Sequence, residues 1–313
     1  MAPLLLSTSS LGVSLSLTTA AFWAFSPLCW ASAGRRIGSY PVITLRSLLA
    51  TVLLLALLPV YWLLTGTTIT APSLDQTFWL IISSLTGMIV GDILLFEALV
   101  RIGPRRGTQI LTLAPVASVV LAWLYLGERL SITPLVGIGL TLGATLYAVV
   151  ATPDAAESSQ RSDPGRLSAG GIMMAAIGAM LVGVGAVTTR QAFRSGPPLD
   201  AVVAATVRVG TSAVFLGIVP LVRGHGVRLV SHLRDGFVLS RVIAGTLAGP
   251  VAGMLCYVLA LKHLEAGLVS TLVALSPLFI LPMIVWRYGV RIRLGIIVAT
   301  LAACAGVAMI CLH

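Results

Sequence analysis

Charge is what this sequence has least of. Only 10% of its 313 residues are Asp, Glu, Lys or Arg, against about 25% in a typical soluble domain. Hydrophobic residues make up 58% and the mean hydropathy is +1.03. That balance excludes a soluble globular domain, and it points to a multi-pass membrane protein. Acids are scarcer than bases, 10 against 20 Lys and Arg, so the net charge is +10. In a soluble chain such an excess would suggest nucleic acid. Here the arginines sit in short loops between apolar runs, where they act as topology determinants. No basic patch with interleaved aromatics is present, so no nucleic-acid partner is expected.

Chemistry-bearing motifs are also missing. The four cysteines, Cys29, Cys256, Cys304 and Cys311, lie in apolar runs without CxxC or metal-ligand spacing. They are expected to serve as small apolar side chains. The chain has no HExxH, GxSxG or Walker A sequence, and no GxGxxG after a strand. His225, His232, His263 and His313 lie in loops or at the end and do not cluster. Neither an enzyme, a cofactor, a metal nor direct use of ATP is expected. Residues 1–34 contain no Lys or Arg. The run Leu11–Ala33 ends Ala31-Ser32-Ala33 but lacks the basic start of a signal peptide, so it reads as a retained membrane helix.

Long apolar runs are what the sequence has in abundance. A spanning helix needs about 20 apolar residues, which predicts ten spans near 11–33, 41–64, 77–100, 107–126, 132–151, 168–190, 199–222, 237–261, 267–287 and 292–312. The one long polar linker, 152–167, divides the chain into units 1–151 and 168–313. Sliding one unit over the other by 162 residues brings them into register. Arg46 falls on Arg208, Gly87 on Gly249, Gly91 on Gly253, Pro115 on Pro277 and Gly127 on Gly289. A shared intramembrane Arg, a shared mid-helix Pro and several shared Gly at one ungapped shift indicate a duplication. Five helices per unit is an odd number, so the second unit enters the membrane from the opposite side. The expected fold is all-α, ten transmembrane helices arranged as two inverted five-helix repeats, a plan used by many secondary transporters.

The chain resembles the EamA-like family of the drug/metabolite transporter superfamily. The resemblance rests on Arg46 and Arg208 near the starts of the second and seventh helices. It also rests on the segments ALVRIGPRRGTQILTLAPV and ALKHLEAGLVSTLVALSPL, and on YLGERLSITPLVGIGLTLGA at residues 125–144. It covers nearly the whole chain. The second repeat has Val290 where the first has Glu128, which argues against Glu128 as a duplicated functional acid. Lys and Arg gather in the odd-numbered loops, which places those loops in the cytoplasm and both termini outside. The resemblance implies cytoplasmic termini instead. The location expected is a plasma or inner cell membrane.

Charges inside the apolar runs are the candidates for function, because an Asp or Arg at a helix centre costs about 2.5–3.5 kcal/mol on insertion scales. Asp92 lies nine residues before Arg101, roughly 13 Å deep at about 1.5 Å per residue, on one face with Leu95, Phe96 and Leu99. It is read either as a proton or cation site or as the partner of a membrane Arg. Glu97 either pairs with Arg101 four residues on or meets Arg46. Arg208 has Met254 and Leu259 where the first repeat has Asp92 and Glu97. It therefore either reaches across the repeats to Asp92 or binds an anionic group on a solute.

Pro115 and Pro277 are expected to break the fourth and ninth helices. Gln109, Thr112 and Thr271 beside them, with Trp23 from mid-helix one, are candidates to line a cavity. Trp30, Trp62, Trp79, Trp123 and Trp286 fall near helix ends and suit an interfacial belt. Gly139 with Gly143, and Ala302 with Gly306, allow close helix packing inside the fold or in a homodimer. The function expected is secondary transport of a small metabolite or drug-like solute by alternating access, with proton coupling through Asp92 or Glu97 left open. A channel and a non-transporting membrane protein are the alternatives, and a membrane-embedded enzyme is a weaker one. The partners implied are a small-molecule solute and the lipid bilayer, with the chain a monomer or homodimer.

Overall fold

In lipid every backbone N–H and C=O must be bonded within the protein, so apolar runs of this length become helices. A computed structural model describes residues 2–66, 70–102, 110–111, 113–128, 130–151, 169–224, 226–276, 278–279 and 294–311. Among the described residues there is no strand.

The helix α1 (Ala2–Ile37) turns into α2 (Ser39–Thr65) at Gly38, whose φ of 86° lies in the left-handed region. Next comes α3, three abutting stretches Leu74–Ser83, Ser84–Gly91 and Asp92–Ile102, of which the middle one is π-helical. In α4, Leu113–Leu121 runs into a π-helical end, Ala122–Leu126. Then follow α5 (Ile132–Ala151), α6 (Ala169–Arg194) and α7 (Ala201–Val222). A short helix Gly226–Ser231 and a 3₁₀ turn His232–Arg234 lead to α8. That helix comprises Gly236–Thr246, a π-helical Leu247–Gly253 and Met254–His263. Last are α9 (Ala266–Val273) and α10 (Leu294–Cys311).

Among the described residues six stretches are long and apolar enough to cross a membrane: Ser10–Gly34, Tyr40–Leu64, Leu74–Leu95, Ala169–Arg194, Ala201–Val222 and Gly236–His263. Leu113–Leu126, Ile132–Tyr147 and Ile297–Val307 are shorter apolar helices. The protein is thus an all-helical, multi-pass membrane protein. The expected span 267–287 is described as continuous helix only to Val273, four residues before Pro277.

The packing follows membrane rules, in which small and hydroxyl side chains glue helices and large apolar ones face lipid. Leu63, Leu64, Val222 and Leu301 point outward, whereas Ser83, Ser118, Thr189 and Ser212 are buried. Ser83 donates to the Gly185 carbonyl at 2.6 Å, tying α3 to α6. Ser118 joins α4, α6 and α9 through Ser270 at 2.9 Å and the carbonyls of Gly183 and Ala266.

Equivalent positions of the two repeats share their backbone form. Both π-helical stretches in α3 and α8 end on the paired glycines, Gly91 and Gly253. A Cβ at Gly91 would stand 2.7 Å from the Thr86 carbonyl oxygen, and one at Gly253 would stand 2.9 Å from that of Ala248. In each case the obstructing carbonyl lies five residues back, brought there by the wide turn, so both positions require glycine. Such π turns are frequent at functional sites.

One expectation about packing is corrected, and the other is met at Gly306 and not within the fold at Gly139 and Gly143. Trp30 does not join an interfacial belt. It lies over Gly245 and Gly249 of α8, where an added Cβ at Gly249 would meet its ring at 2.6 Å. In α5, close packing against α10 uses Gly137 and Thr141, which meet Gly306. Gly139 and Gly143 instead line an open apolar groove with Tyr147 and Gly295. Trp62 and Trp123 are exposed at helix ends, as a belt requires.

Candidate functional site

The π turns of α3 and α8 place two residues, Asp92 and Met254, directly after Gly91 and Gly253. Each faces an arginine from the preceding helix of its own repeat. Arg46 on α2 donates from Nη2 to Asp92 Oδ2 at 2.6 Å. Arg208 on α7 donates from Nη1 to the Met254 sulfur at 3.4 Å. The two contacts are equivalent in the repeat and unequal in chemistry, since one is an ion pair and the other a weak bond to a thioether.

Aromatic rings from α1 and α8 close the cluster. The Arg46 guanidinium lies 4.3 Å from the Trp30 ring centre and that of Arg208 lies 5.5 Å from Tyr257. Such stacking attracts a cation to the ring face. Trp23, seven residues before Trp30 on the same side of α1, packs on Tyr257 with ring centres 5.1 Å apart. Gly253 admits the Trp23 indole, because a Cβ there would come within 2.6 Å of its Nε1. Trp23, Tyr257 and Arg208 therefore form one stack beside the Arg46–Asp92 pair.

Arg208 is 3% exposed. Among the described residues its Nε has no hydrogen-bond partner and no carboxylate pairs with it. It lies within electrostatic reach of Asp92 but makes no hydrogen bond to it. Arg46, Asp92 and Arg208 together carry one net positive charge in the bundle interior. A buried cation without a partner is costly, so a site of this composition suits an anionic group.

The other candidates separate. Glu97 pairs with Arg101 at 2.9 Å, half-exposed, one helical turn on, so it is not the partner of Arg46. Thr271 is buried and spends its hydroxyl on the Gly267 carbonyl of its own helix at 2.8 Å. Pro115 is buried in the first turn of the described stretch Leu113–Leu121. Gln109, Thr112 and Pro277 lie outside the described residues.

Sequence reasoning missed three things. Tyr257 was not singled out, although its place three residues after Met254 on a helix puts it on the same face. The place of Trp30 near a helix end suggests the membrane surface instead of the bundle interior. Glu128 does not recur in the second repeat, and its structural role is not legible from the sequence: its side chain is only 8% exposed and pairs with Arg190 of α6. It also lies 3.9 Å from Arg194 and accepts from the Ala266 N–H at 3.3 Å. That network knots the ends of α4, α6 and α9.

A family model for the EamA-like transporter family matches the chain twice, over residues 10–150 and 169–312. The chain belongs to the EamA-like transporter family. Membership makes it a membrane transporter of small solutes in kind, and the two matched stretches put Arg46 with Asp92 in one repeat and Arg208 with Met254 in the other. Membership is also consistent with a protein that is not an enzyme. A solved crystal structure, described only as that of a protein, superposes with a TM-score of 0.70 over 95% of this chain and 97% of its own, at 17% identity. At that identity the likeness shows the fold alone. No curated protein matches the chain. For this EamA-like protein the arrangement of the cluster has to carry the finer reading.

Proposed function

We propose that this protein moves a small solute bearing an anionic group across the membrane by alternating access about the Arg46–Asp92–Arg208 cluster. The reading rests on one observation. Arg208 is buried with no carboxylate partner among the described residues, and Met254 stands where the first repeat supplies Asp92. A solute carboxylate or phosphate would provide the missing counter-charge, and the Trp23–Tyr257 stack would hold the apolar part of the same solute.

Ten spans in two inverted five-helix repeats, 1–151 and 168–313 joined by the linker 152–167, supply the two gates that alternating access needs. Asp92 is the group through which a proton would couple, because neutralising it removes the counter-charge of Arg46. The Lys and Arg count favours odd-numbered loops in the cytoplasm.

Uptake into proteoliposomes of anionic and neutral metabolites, with and without a pH gradient, tests the reading. Arg208→Gln should cut uptake of the anionic solutes at least tenfold and leave any neutral solute unaffected. Unchanged selectivity in that variant would sink the anion assignment, and insensitivity of Asp92→Asn to the gradient would confirm the acid as coupling group only if the wild type responds.

A further inference from the structure

A second charged site lies away from the central cluster, at the end of the bundle beside residues 126–128, 193–199 and 262. It is a cavity of about 460 Å³, and its charged walls are Glu128, Arg190, Arg194 and Lys262. Phe193 and Leu199 supply apolar wall. Among the described residues three cations therefore face one carboxylate. The imbalance is local. Asp75, Asp200 and Glu265, the other acids at the helix ends and turns of this face, are not among the lining residues.

The arginines are held in place rather than free to snorkel. Arg190 is engaged by Glu128 and donates from Nη1 to the Leu261 carbonyl at 2.8 Å. Arg194 donates from Nη1 to the Leu126 carbonyl at 2.9 Å. Each keeps further N–H groups, since a guanidinium has five. Lys262 is exposed and has no carboxylate partner among the described residues. Glu128 is already engaged by Arg190, Arg194 and the Ala266 N–H, so one carboxylate is shared among several donors and Lys262 has no carboxylate partner among the described residues. Fixed cations in a concave, partly apolar wall focus a positive potential and raise the local concentration of anions.

We infer that this cavity is an anion-binding site, taking a phosphate or carboxylate between Arg194 and Lys262, with Glu128 and Arg190 as its rigid floor. The anionic group belongs either to a soluble metabolite or to a lipid headgroup at the membrane edge. The inference does not rest on the transport reading, because binding here requires no movement of the central cluster.

Calorimetric titration of the purified full-length protein in neutral detergent tests it, with two probes. One is inorganic phosphate and the other is dihexanoyl phosphatidylglycerol, each against sodium chloride of matched ionic strength. The expected result is saturable binding of at least one probe that sodium chloride does not reproduce, weakened at least tenfold in Arg194→Gln/Lys262→Gln. Binding of phosphate alone assigns the site to soluble solutes, and binding of the lipid alone assigns it to a headgroup. If the double variant does not fold, Lys262→Glu keeps the test, because the Lys262 side chain makes no bond among the described residues and its reversal places an acid in the cavity. Absence of saturable binding by either probe, or equal binding in wild type and Lys262→Glu, overturns the inference. The assay involves no flux, so its failure is distinct from a failure to transport.

Discussion

Arg46 and Asp92 are 46 residues apart and bond at 2.6 Å, and Arg208 and Met254, also 46 apart, bond at 3.4 Å through sulfur. A duplicated frame thus holds one satisfied and one unsatisfied arginine. Removing the carboxylate from this partly buried pair leaves the buried Arg46 uncompensated, at a cost of about 3 kcal/mol. Asp92→Asn should therefore lower stability by about that amount. Arg46→Met combined with Asp92→Met, which removes both charges, should be less destabilised than Asp92→Asn. Denaturant unfolding of the three proteins in detergent checks the order.

Met254→Asp gives Arg208 the partner that the second repeat lacks. The fold should tolerate it, because the new carboxylate meets a cation already within reach. Uptake of anionic solutes should fall at least tenfold, since the arginine would no longer need a solute to neutralise it. Unchanged uptake in this variant would show that Arg208 does not recognise an anion.

Two glutamates of one repeat should behave oppositely. Glu97 is half-exposed in an i,i+4 pair with Arg101, a kind of pair worth about 0.3–0.5 kcal/mol. Glu128 is buried with Arg190 and an N–H of α9. Glu97→Gln should leave the melting temperature almost unchanged, whereas Glu128→Gln should cost about 3 kcal/mol. Thermal unfolding of both single variants measures the contrast.

The sequence carried the membrane class, the family and the duplication, because each is written in composition or in residues at a constant shift. The arginines, Asp92 and the two π-turn glycines were all visible that way. Partners across the fold were not. Trp30 lies near the end of an apolar run, so its distance to the membrane edge suggested a belt. Its true neighbours, Gly245 and Gly249, lie more than 200 residues on, and only their lack of side chains makes room for the indole. The position of Glu128 is not duplicated, so the repeat comparison carries no signal for its role. Its partners, Arg190 and Ala266, come from the other repeat, and no local spacing announces them.

At the opposite end of the bundle from Glu128, Asp235 caps α8 through the N–H groups of Phe237 and Val238 and pairs with Arg36 at 3.0 Å. The Val238 N–H and then the Arg36 guanidinium hold its pKa below the ordinary Asp range. A depressed pKa means that the contacts are fully present above the unfolded value, about 3.9, and are lost only as pH falls through the lower folded value. Hydrogen exchange around residues 226–240 should therefore be the same at pH 7 and pH 5 apart from the intrinsic rate. Asp235→Asn, which keeps an N-cap side chain but removes the ion pair, should raise exchange at both.

Alternating access about an anion-seeking Arg208 is tested most directly by counterflow. Proteoliposomes preloaded with a mixture of unlabelled anionic metabolites are diluted into the same mixture carrying trace label. A carrier predicts a transient overshoot of at least one labelled anion, saturable in wild type and abolished by Arg208→Gln. Flux that neither saturates nor overshoots would identify a channel, and an overshoot that survives Arg208→Gln would contradict the role given to that arginine.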